Sequence, residues 1–207
     1  MMLSEEEKRA VAEAIKRAEL TTSGEIVFAL TGKSGRYHHA NLQAALIGAI
    51  AATAIYLTLP VPQSIGLVIW TEIIGFALTL AVIPHIPWRR WLISKKEMDE
   101  CVQDSAFREF YASGLYKTRE SNGVLIYLSC FERRVVVLGD KGIHEKMGDP
   151  HWNEVRDRII RGIRQGQAVQ GICTAVEICG QALARHFPRR PDDINELSDE
   201  VLDRTNR

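Results

Sequence analysis

Three carboxylates stand close together in the second half of the chain: Asp140, Glu145 and Asp149. Oxygen ligands of this kind hold hard divalent cations, and a cation held there offsets phosphate charge during hydrolysis. Asp104 and Glu120 are the residues that would join them across a fold, and His151 would add a general acid. A divalent cation is the cofactor such a cluster would hold, and metal-assisted phosphate hydrolysis is one chemistry that needs converging carboxylates of this kind. Each residue alone also fits a plainer role. Asp140 lies in Gly139-Asp140-Lys141-Gly142, where aspartate suits turn geometry. The chain has no H-E-x-x-H, no G-x-x-x-x-G-K-[ST], no G-x-S-x-G and no EF-hand loop. No catalytic residue is assigned on this reading.

Other reactive residue types carry weaker signals. His38, His39 and His85 sit beside long apolar runs, where polar residues at a membrane boundary are commoner than metal ligands. Cys101, Cys130, Cys173 and Cys179 form no C-x-x-C pair and read as reduced thiols. Arg133 and Arg134 suit a solvated turn. Arg156, Arg158, Arg161 and Arg164 decorate a helix among Glu154 and Asp157, as a solvated face or a contact for anionic headgroups.

The elements that must position these residues divide sharply by composition. Lys plus Arg number 26 and Asp plus Glu number 26, so the net charge is zero and nucleic acid is not an expected partner. From Leu42 to Ile83 the one charged residue is Glu72. Leu42 to Leu59 is apolar over a length of about 27 Å at 1.5 Å per residue, close to the thickness of a bilayer core. Ile65 to Ile83 is similar, and Pro60 and Pro62 break the helix between them. The lipid bilayer is the partner this pattern predicts, met by a transmembrane hairpin spanning 41–88. Ala44, Gly48 and Ala52 recur at every fourth position, a stripe that lets helices approach closely within the hairpin or between copies. Glu72 lies mid-span, where a carboxylate must be neutral or paired. A proton path and a hydrogen bond to the facing helix are the two roles for it.

Lys33 and Arg36 precede the first span. Arg89, Arg90, Lys95 and Lys96 follow the second, and the turn has no Lys or Arg. This asymmetry predicts a multi-pass inner-membrane protein with both termini cytoplasmic. Trp88 and Trp91 fit an interfacial belt. The acidic opening Met1 to Glu7 is unlike a signal peptide.

Outside the hairpin, Ser4 and Glu7 form a capping box for a first helix, and Glu25 to Thr31 reads as a strand. Lys96 to Leu115 is helical, Val124 to Cys130 and Val135 to Leu138 make a β-hairpin, and helices follow at Trp152 to Ile163 and Gln167 to His186. From Pro188 onward a polar tail of weak order is expected. One strand and one β-hairpin are not stable separately, so 1–40 and 89–187 should form one mixed α/β sheet sandwiched by helices, with the membrane hairpin inserted.

Gly24-Glu25-Ile26-Val27-Phe28, Asn122-Gly123-Val124-Leu125-Ile126 and Arg134-Val135-Val136-Val137-Leu138-Gly139 resemble the TPM domain family, as do Phe110 to Leu115, Gly142 to Glu145 and the final helices. Over its length the chain looks like bacterial membrane proteins with such an interrupted domain. The resemblance implies a mixed sheet sandwiched by helices. It also implies phosphatase activity and calcium binding, as credited to some members, or membrane assembly and maintenance, as credited to others. Two functions follow as expectations. The first is a membrane-anchored TPM-like module that binds or stabilises another membrane protein or complex, or itself. The second is a metal-dependent phosphatase at the cytoplasmic membrane surface. A transporter subunit using Glu72 ranks third.

Overall fold

A computed structural model describes residues 3–205 and, of these, all side chains except those of residues 87, 88, 144, 145 and 147–150. Two compact units appear, one of 1–34 with 99–207 and the other of 35–98.

The first unit is built on a four-stranded sheet of order β3-β2-β1-β4. Strand β1 (Glu25–Thr31) runs parallel to β2 (Gly123–Ser129) in a register that sets Phe28 beside Ile126. Strand β3 (Arg134–Gly139) returns antiparallel to β2, and β4 (Leu202–Arg204) lies parallel on the other side of β1. The two central strands are buried at every residue. Parallel strands covered on both faces read as continuous apolar runs, as Ile26-Val27-Phe28-Ala29-Leu30 does.

Alternation along the strands divides the core. Ile26, Phe28, Leu30, Val124, Ile126 and Leu128 meet α1 (Glu5–Glu19), α5 (Lys141–Arg164) and α6 (Ala168–His186). Val27, Ala29, Leu125 and Tyr127 meet Val102, Ala106 and Phe110 of α4 (Lys95–Ala112). Ser4 and Glu7 close the expected capping box on α1. Helices α5 and α6 cross where Gly162 meets Gly171, and a Cβ on either glycine would fall within 3.0 Å of the other's Cα.

Two expectations are corrected here. Helix α5 begins at Lys141 rather than Trp152, because Asp140 accepts the Lys141 N–H and caps it. The tail after Pro188 is not weakly ordered. Thr22 bridges to Pro188, Glu196 donates its N–H to Glu25, and β4 pairs with Ala29 to Thr31. Ion pairs hold that strand, Lys8 to Asp203 at 2.5 Å and Arg204 to Glu109 at 3.1 Å.

The second unit carries α2 (His38–Thr58) and α3 (Ile65–Val82), an apolar helical hairpin. Both helices are long and apolar enough to cross a membrane, and the second has almost no buried surface. Ser64 caps α3 through the Leu67 N–H, and the Tyr56 hydroxyl donates to the Pro62 carbonyl across the turn. Gly48 lies against Thr79 and Gly75 against Ala52, while Ala44 is buried. Glu72 is exposed and makes no hydrogen bond to α2. Trp91 is exposed, and the side chain of Trp88 is outside the described residues.

Candidate binding groove

Strand β3 has β2 on one side only, so its other edge is open to whatever the flanking helices leave room for. Asp140 donates its N–H to the Gly123 carbonyl at 2.9 Å. In an antiparallel pair the bonded residues alternate, so Arg134, Val136 and Leu138 face β2, while Val135 and Val137 turn their N–H and C=O groups outward. A groove of about 620 Å³ follows this edge. Its floor is Arg133 to Val137. Asp99, Val102 and Gln103 of α4 form one wall, and Trp152, Asn153, Arg156, Asp157, Ile160 and Arg164 of α5 form the other.

Local structure accounts for the lining. Gly139 has no Cβ, and one placed there would come within 3.1 Å of the Trp152 ring, so glycine admits the indole against β3. Trp152 is buried, and its Nε1 has no hydrogen-bond partner among the described residues. Arg133 holds a left-handed backbone (φ 54°) in the β2–β3 turn. Arg134 pairs with Asp99, and Arg156 pairs with Asp157 at 2.9 Å. Arg133 and Arg164 are exposed and have no ion pair among the described residues. Four guanidinium groups against two carboxylates leave the groove basic.

The carboxylates singled out by sequence meet a different setting. Asp140 spends Oδ1 on the helix cap, and its Oδ2 is buried without a partner among the described residues. The Glu145 and Asp149 side chains lie outside the described residues. Glu120 pairs with Arg190, and Asp104 is exposed on α4. His151 packs its ring against Trp152, and burial pushes its pKa below the ordinary imidazole value. Among the described residues no three Asp, Glu, His or Cys side chains come together as metal ligands. His39 meets Glu97 at 2.9 Å rather than another histidine, and none of the four cysteines forms a disulfide among the described residues.

A polar cluster that sequence reasoning missed lies at the C-terminal ends of β1 and β2. Glu132 is fully buried in the β2–β3 turn, where it accepts the Ser34 N–H at 3.0 Å and the Ser129 hydroxyl. Ser34 in turn donates its hydroxyl to Ser129 at 2.9 Å and accepts the Tyr127 O–H at 3.3 Å. These bonds tie the exit of β1 to the turn that carries Arg133. A glutamate beside two arginines in a turn reads as solvated, so no signal in the sequence marked it.

Residues 91–182 match the TPM domain. That match begins after α3 and takes in α4, β2, β3, α5 and most of α6, and so every residue of the groove. Among solved structures the chain is similar to the BA42 protein from the psychrophilic bacterium Bizionia argentinensis. They are 26% identical with a TM-score of 0.62, over 98% of this chain and 96% of that one. No curated protein matches the chain.

Proposed function

We propose that this chain is a membrane-anchored, TPM-like module that binds another membrane protein through the groove beside β3. The observation that carries the reading is the open, basic, walled edge of β3 in a unit where both faces of the sheet are already covered. Glu72 supports it from the other unit, since an exposed carboxylate on an apolar helix gains a reason to exist when a partner helix meets it. The basic flanks and the uncharged turn favour an inner-membrane protein with both termini cytoplasmic. Affinity purification in mild detergent tests the reading. The unmodified chain should retain a membrane-protein partner that the R133E/R164E double variant loses. Equal recovery with both would remove the groove, and recovery of the chain alone as an oligomer would replace a partner with a second copy.

A second reading is metal-dependent phosphatase activity, favoured by the buried Oδ2 of Asp140, which has no partner among the described residues. Hydrolysis of a generic phosphate ester with Mg²⁺, Mn²⁺ or Ca²⁺ would be abolished in the folded D140N variant. Unchanged turnover would take Asp140 out of any site.

A further inference from the structure

We infer that the β3 edge is a strand-addition site for an extended, acidic segment of a partner protein. This deepens the partner-binding reading and rests on it for the claim that a protein fills the groove. Val135 and Val137 offer outward N–H and C=O groups, the pairing surface that an added strand uses. Sheet edges are normally covered or blunted because they recruit strands. Here β4 covers the β1 edge, and the β3 edge has helices at both sides but nothing upon it among the described residues.

The shape of the opening fits a strand. Val135, Val136 and Val137 all line it, and successive residues point to opposite faces of a sheet. The groove therefore reaches both sides of the strand plane. A strand laid along it would send alternate side chains toward α4 and α5. The charge selects what those side chains are. Arg133 and Arg164 are unpaired among the described residues, so carboxylates are matched and ammonium groups are repelled. Anionic lipid headgroups share the preference for arginine, but they make no use of the backbone edge.

Fluorescence anisotropy on the detergent-purified full chain tests this. The probes are a labelled peptide of alternating glutamate and valine, its alternating lysine and valine counterpart, and the acidic peptide N-methylated along one edge. The acidic peptide should bind and the lysine peptide should not. N-methylation or the R133E/R164E change should weaken binding about tenfold or more, with R133K/R164K retaining it as the control for folding. Equal binding of the N-methylated peptide, or of the lysine peptide, overturns strand addition. So does competition in which soluble dihexanoyl phosphatidylglycerol binds the arginines and no peptide does. If R133E/R164E loses a co-purified partner while no peptide binds, strand addition fails and the partner reading stands. If the peptides behave as expected but no partner is retained, strand addition stands and the partner reading fails.

Discussion

The backbone N–H of Glu196 donates to the Glu25 carboxylate at 3.0 Å, which ties the C-terminal segment to the start of the central strand. Glu25 is buried, and its second oxygen has no partner among the described residues. Glu19, beside it, accepts the Ile26 N–H at 2.8 Å. Burial first, with Glu25 and Asp199 adding repulsion, pushes the Glu19 carboxyl up to about 9. Glu25 is raised by burial in the same way.

These shifts dictate a pH dependence of stability. In the unfolded chain Glu19 loses its proton near the ordinary carboxyl value of 4.5, whereas the folded chain keeps it until about 9. Between those values the folded state holds the extra proton, so stability is greatest at the acid end and declines as pH rises. The slope is at most about 1.4 kcal/mol per pH unit for one proton. The Tm in detergent should fall from pH 5 to pH 8. E19Q, which keeps the acceptor for Ile26, should flatten the decline and raise the Tm at pH 8. A lower Tm for E19Q at both pH values would contradict the assignment.

Gly162 and Gly171 leave no room for side chains where α5 crosses α6. A methyl on Gly162 would come within 2.7 Å of the Gly171 Cα, and backbone cannot swing aside as a flexible side chain can. Alanine at either position gains helix propensity but forces the helices apart, for a net loss of about 1–2 kcal/mol. Gly66 faces open space and serves as the comparison. Thermal unfolding should show a lower Tm for G162A and G171A and little change for G66A.

Glu132 is a buried acceptor, and the Ser34 N–H and the Ser129 hydroxyl are among the donors aimed at it. Removing the carboxylate strands both. E132A should cost about 2–4 kcal/mol in urea unfolding, and E132Q less because one oxygen remains. Faster amide exchange at Ser34 should accompany the loss. An E132A variant as stable as the parent would mean that these bonds contribute nothing net.

Strands β1, β2 and β3 were legible because Ile26 to Leu30, Val124 to Leu128 and Val135 to Leu138 are runs of β formers bounded by glycines and turn residues. The apolar hairpin was equally plain. Strand β4 was not, because Leu202-Asp203-Arg204 has no intrinsic preference for extension. It forms because Lys8 and Glu109, distant in sequence, hold Asp203 and Arg204 against β1. The first turns of α5 were hidden by Gly142, Gly148 and Pro150, which propensity counts against a helix. The arginines of the groove were each visible, but their convergence was not. It depends on β3 being an edge and on which helix covers each face, and neither is written in local pattern.

The parallel pairing of β1 with β2 has a consequence for how the protein is made. Glu25 to Thr31 leaves the ribosome early, but its neighbour Gly123 to Ser129 follows only after both apolar helices. At ordinary elongation rates the delay is on the order of ten seconds. For that time the strand has no ladder to join, and the nascent chain presents an unsheltered apolar strand followed by the hairpin. The hairpin is thus complete before the sheet can close. On the membrane-anchored reading proposed above, synthesis order alone would place delivery to a membrane before folding of the sheet unit.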